Sequence, residues 1–168
     1  TNFQNAVNLW FDNQAEANAT YGHISDWNTS AVTDMTDAFT GRTAFNEDIG
    51  GWDVSSVTTM VRIFHMAKSF NQDIGDWNVS NATSMQQMFH GATSFNQDLG
   101  DWDVSNVTNM VRVFNGALGF NQDIGNWNTS SVINMGWLFT NTDAFNQDIS
   151  NWDTSKVTNM QAMFKDAN

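Results

Sequence analysis

The sequence predicts an α/β solenoid in which 25-residue units, each a short helix plus a short strand, stack along one axis. Three observations predict it. Trp27, Trp52, Trp77, Trp102, Trp127 and Trp152 recur every 25 residues without a slip. The columns Met35, Met60, Met85, Met110, Met135, Met160 and Phe39, Phe64, Phe89, Phe114, Phe139, Phe164 keep the same phase, and a fixed period of this length marks a repeat architecture. Within a unit, Val107, Met110 and Phe114 fall at i, i+3 and i+7, the spacing of one helix face. Finally, the segments FNEDIGGW, FNQDIGDW, FNQDLGDW, FNQDIGNW and FNQDISNW, starting at Phe45, Phe70, Phe95, Phe120 and Phe145, are short, end apolar and read as strands or extended turns.

The elements follow in chain order. Residues 1–20 stand outside the period. Phe3, Val7, Trp10 and Phe11 lie at i, i+4, i+7 and i+8, which predicts an amphipathic helix capped by Asn2 and covering the end of the stack. Residues 21–168 then form about six units, the last incomplete. In each, a serine (Ser30, Ser55, Ser80, Ser105, Ser130, Ser155) is the expected N-cap of a helix of two to three turns, and Gly91 or Gly116 its expected end. The strand-like segment after it, Phe120 to Ile124 in one copy, is expected to pair with its neighbours about 4.8 Å away. One unit alone cannot bury its apolar side; stacking lets the Ile, Trp, Val, Met and Phe columns pack on themselves. The chain stops part way through a unit, so we expect it to belong to a longer protein.

Composition narrows the classes of function. Eighteen acidic against six basic residues give a formal charge of −12, which disfavours nucleic acid, because phosphates need clustered Lys and Arg. With a mean hydropathy of −0.41 and no long apolar run, no membrane span is expected. The absence of Cys removes disulfides and thiolate chemistry, and the absence of Pro leaves loops to Asn, Asp and Gly. Neither a Ser–His–Asp set nor a glycine-rich phosphate loop is readable, so no enzyme is expected.

The unit W-[DN]-[VT]-S-x-[VA]-[TI]-x-M-x-x-x-F followed by F-N-[QE]-D-[IL] resembles the BspA-type leucine-rich-repeat surface proteins. The same repeat is found in Mycoplasma lipoproteins as a domain of unknown function. The resemblance covers residues 20 to 168 and implies a leucine-rich-repeat-like solenoid, in a secreted or surface-anchored protein, with adhesion to proteins or cells as the associated activity. The sequence departs from ordinary leucine-rich repeats in carrying Phe, Ile, Trp and Met where Leu dominates.

Several columns carry chemistry. Stacked units place Asp48, Asp73, Asp98, Asp123 and Asp148 about 5 Å apart, where each neighbouring pair repels by about 0.8 kcal/mol even in water. Two arrangements offset this: hydrogen bonds from turn N–H groups, which we favour, or Ca²⁺ held between units by the carboxylates. The Trp column is expected in the core, with sugar stacking as the alternative. Asn46, Asn71, Asn96, Asn121 and Asn146 are expected to form an amide ladder. His65 and His90 occupy equivalent places in adjacent units, as neighbours able to share a metal or respond to pH.

The residues where the copies disagree are the partner-binding candidates: Arg62, His65, Gln87, His90, Arg112 and above all Trp137, which stands where other units have Asp, Arg, Gln or Ala. The reading is a non-catalytic module for protein or cell-surface recognition, extracellular or at the cell surface. The alternatives are a spacer array, Ca²⁺-stabilised in one version, that extends another domain, and, more weakly, a carbohydrate binder.

Overall fold

The computed structural model describes residues 2–167. Thr1 and Asn168, the outer limits of the predicted cap and repeat array, lie outside the described residues.

The N-terminal segment is two helices, not one. α1 (Phe3–Asp12) is capped by Asn2, whose side chain accepts the Gln4 N–H, and α2 (Gln14–Tyr21) follows after a break at Asn13. Asn13 makes the break: its N–H closes α1 on the Leu9 carbonyl, while its side chain accepts the Glu16 N–H that opens α2. The apolar face of α1 packs edge-on against the first coils. Phe3 meets Trp52, Trp10 meets Trp27, and Phe11 meets Phe39 and Phe45 at centroid distances of 5.7 to 6.2 Å. A single 3₁₀ turn, Ile24–Asp26, leads into the repeats.

From there the prediction of a helix and a strand per unit fails. The repeats are stacked coils (27–51, 52–76, 77–101, 102–126, 127–151 and 152–167) built from turns. Among the described residues no strand forms, and neighbouring coils share one isolated parallel bridge each, from Asp34–Thr59 through Asn134–Asn159. The chain is therefore not an α/β solenoid of helix–strand units.

The physical reason lies in where the amide protons go. In the segment expected to be helical, alternate N–H groups point in different directions. Ala38, Thr40 and Arg42 donate three residues back to Met35, Asp37 and Phe39, whereas Asp37, Phe39 and Gly41 donate across to Val61, Ile63 and His65 of the next coil. The pattern recurs along the stack, with Arg112, Phe114 and Gly116 donating to Gly136, Leu138 and Thr140. A helix would have spent every one of these donors inside its own coil. This zigzag needs left-handed backbone twice per coil: at Asp37, Arg62, Gln87, Arg112, Trp137 and Ala162 (φ 52–63°), and at Gly41, Met66, Gly91, Gly116, Asn141 and Asp166 (φ 53–71°). Gly91 and Gly116 thus have the positive φ expected of a helix terminator but terminate no helix.

Nor do the serines cap helices. The Ser30, Ser55, Ser80, Ser105, Ser130 and Ser155 N–H groups instead donate to the Asn or Asp side chain two residues earlier, closing a small turn. Where strand pairing was expected, side chains do the pairing: Asn71, Asn96, Asn121 and Asn146 each donate a backbone N–H to the side-chain carbonyl of the preceding Asn in the column.

The apolar columns form one continuous core. Successive rings of the Phe39 column lie 5.5 to 5.7 Å apart and within 13° of parallel. Inside each coil this ring sits on a second phenylalanine, as Phe64 does on Phe70 at 3.8 Å. Rings of the outer Phe45 column are 5.8 to 6.1 Å apart, and tryptophans of adjacent coils 6.2 Å apart. Each indole N–H from Trp52 onward donates to the carbonyl of the Ile or Leu 28 residues earlier, pinning one coil to the last.

Candidate functional site

The aspartate column is satisfied by backbone. Asp48, Asp73, Asp98 and Asp123 each accept the N–H of the glycine two residues on, and Asp148 that of Ser150, at 2.9 to 3.0 Å. The Ser150 N–H also holds the Asp148 carboxyl below its usual range. Among the described residues no group of three His, Cys, Asp or Glu is arranged to hold a metal ion. Asp73, Asp76, Asp98 and Asp101 do share a small cleft of about 170 Å³. The second acidic column behaves like the first: hydrogen bonds from the Ser55 and Ser105 side chains and N–H groups lower the pKa of Asp53 and Asp103.

Other columns are equally committed to the scaffold. The indoles of Trp27 through Trp152 are buried and hydrogen-bonded, out of reach of a sugar. Asn81 and Asn106, both in glycosylation sequons, donate their side-chain amides to Ser55 and Ser80 carbonyls of the preceding coil. Two ladders are not evident from composition alone. Gln72, Gln97, Gln122 and Gln147 reach back to the carbonyls of the Asn column, and the exposed Thr58, Thr83, Thr108 and Thr158 hydroxyls donate one coil back to the carbonyls of Thr33, Thr58, Thr83 and Ile133.

The varying residues are brought together. Arg62, Gln87, Arg112 and Trp137 occupy the first left-handed position of successive coils, half-buried and in register, with His65 and His90 three residues on. Left-handed backbone therefore holds the changing side chains in a file while the coil-to-coil hydrogen bonds beneath them stay the same.

Each member of the file has a defined environment. Arg62 makes a two-point ion pair with Asp37, its Nε donating to Oδ1 at 2.7 Å, which lowers the Asp37 pKa and raises that of Arg62. Asp37 was absent from the sequence-derived candidates, although opposite charges 25 residues apart in one column were the signal for it. The Arg112 guanidinium lies over the Trp137 ring, 4.8 Å from its centroid, which explains how a lone indole tolerates this surface.

The imidazoles of His65 and His90 are 5.0 Å apart and tilted by 49°. Each has its Nδ1 buried without a hydrogen-bond partner among the described residues. Burial pushes both pKa values down. The Arg62 charge adds to this at His65 against a smaller opposing effect of Asp37, while His65 and Arg112 add to it at His90. These imidazoles are thus half-buried neighbours whose surroundings favour the neutral form.

Concavities flanking the cap include a groove of about 400 Å³ lined by Trp10, Phe11, Arg42, Phe45 and Glu47, whose Arg42 lies over the Phe11 ring, and one of about 450 Å³ lined by Phe3, Gln4, Val32 and Asp34. No helix among the described residues is long and apolar enough to cross a membrane.

Set beside known proteins, the chain matches one family model twice, over residues 5–117 and 95–168, the overlap being natural for a sequence that repeats itself. No curated protein and no solved structure matches it. Since the two matches together span nearly the whole chain, it belongs to the family described as Mycoplasma protein of unknown function, DUF285.

Proposed function

We propose that this chain is a non-catalytic recognition module, displayed at a cell surface like the BspA-type repeats it resembles, and that its contact surface is the file Arg62–Gln87–Arg112–Trp137 with His65 and His90 beside it. One observation carries the reading. The backbone, Asn, Gln and Trp ladders recur from coil to coil with few breaks, while the half-buried side chain at the first left-handed position changes from acid to base to amide to indole and the one three residues on changes from Thr to His to Asn. A scaffold of this kind varies its contacts without altering its fold.

The test is binding to a panel of immobilised cell-surface and matrix proteins, native chain against the double variant Arg112→Ala/Trp137→Ala. Ala162 already occupies this column at φ 52°, so the backbone accepts alanine there. The native chain is expected to bind at least one member and the variant, folded by circular dichroism, to lose it. A panel with no binder, or binding that survives the double substitution, refutes the proposal.

A further inference from the structure

We propose that the partner docked on this face presents carboxylates, as an acidic segment of another protein. The inference rests on the recognition reading above and adds the chemistry of the partner. It begins from where the acids are not. Between Thr58 and Asn141 every carboxylate (Asp73, Asp76, Asp98, Asp101, Asp103 and Asp123) falls outside the four segments 58–66, 83–91, 108–116 and 133–141 that form the file and its flanks. Those segments carry Arg62, which Asp37 of the preceding coil already holds, His65 and His90, whose burial favours the neutral form, and Arg112. In a chain of charge −12, this is a carboxylate-free, donor-rich strip on an otherwise acidic body.

The local geometry favours a carboxylate over other anions. The ion pair of Arg62 with Asp37 shows the column's own solution: a guanidinium one coil away grips a carboxylate at two points. Among the described residues Arg112 has no such partner. Its coil neighbours in the column are Gln87 and Trp137, and its guanidinium lies over the indole, a contact that leaves the N–H donors able to meet a carboxylate. Gln87 adds an amide donor beside it. A polyphosphate such as nucleic acid fits poorly, since the strip is narrow and the surrounding body repels dense negative charge. A segment with spaced carboxylates places one on Arg112 and lays uncharged residues along the rest of the strip.

The experiment is calorimetric titration at neutral pH with a Glu-Ser-Gly repeat peptide, whose carboxylates are spaced. The native chain is expected to bind, more weakly as NaCl rises from about 50 to about 300 mM. Arg112→Gln is expected to bind about tenfold more weakly, having lost one charge-assisted contact. Gln87 holds the same column at φ 57°, so the variant folds. Lys68→Gln removes an equal charge from an exposed site off the strip and is expected to bind like the native chain. The proposal is overturned by no saturable binding, by equal loss in both variants, by equal binding of oligo-lysine, or by a uronic-acid oligosaccharide binding where the peptide does not. If the peptide fails while the panel partner is still lost on Arg112→Ala/Trp137→Ala, the acidic partner is wrong and the recognition face stands.

Discussion

Replacing Asp98 by Asn separates two accounts of the stacked carboxylates. On this side of the stack equivalent groups in adjacent coils are about 6 Å apart, as the 6.2 Å spacing of Trp27–Trp52 and Trp127–Trp152 shows. At that separation two carboxylates repel by about 0.7 kcal/mol in water, and Asp98 faces both Asp73 and Asp123, so its charge costs about 1.4 kcal/mol at low salt. Physiological salt, with a screening length of about 8 Å, halves this. The Asn side chain keeps the one contact the turn uses, the carbonyl oxygen that accepts the Gly100 N–H at 2.9 Å. Asp98→Asn should therefore raise the melting temperature by about 3–5 °C at low salt and about half as much at physiological salt. Scanning calorimetry at both salts, with and without EDTA and added Ca²⁺, checks it. A lower melting temperature for the variant, or a native melting temperature that falls in EDTA, would sink the account, because the charge would then be serving a cation.

Other outcomes follow from the same contacts. Acid should destabilise the native chain through His65 and His90. Their folded pKa values lie below the ordinary 6.5, so the unfolded chain binds protons that the folded one refuses, and stability present above pH 6.5 is lost as pH falls. The double variant His65→Thr/His90→Thr, which installs the residue of Thr40 and Thr140, should lose less between pH 7.5 and 5, read by urea midpoints. Gln87→Val puts a β-branched residue at φ 57° and should cost about 1–3 kcal/mol, whereas Gln87→Gly should stay within about 0.5 kcal/mol; equal effects would refute the left-handed strain. Trp102→Phe removes the indole donor from the Ile74 carbonyl, which keeps the Trp77 N–H, and loss of that one bond should cost about 0.5–1.5 kcal/mol by thermal melting.

The period was fully legible, because residues in phase every 25 positions stack on themselves whatever the backbone between them does; the buried Trp, Met and Phe columns follow from it. The Asp and Asn ladders were legible too, since stacked carboxylates and amides must find donors within reach. The local backbone was not. Val107, Met110 and Phe114 at i, i+3 and i+7 fit a helix face, yet nested turns that return every third residue place them inward just as well. Propensity counts only a coil's own hydrogen bonds, while here half the donors of the segment are claimed by the neighbouring coil. The candidate file was legible as variation between copies, but its mutual pairing, Asp37 with Arg62 and Arg112 with Trp137, depended on the register of the stack.

Each junction between coils is sewn from both sides. The indoles and the Asn-column N–H groups reach back to the preceding coil, while N–H groups such as those of Arg112, Phe114 and Gly116 reach forward to the next. An interior coil that opens therefore gives up partners on both of its faces and an outermost coil on only one. Loss of structure is expected to start at the two ends of the stack and travel inward.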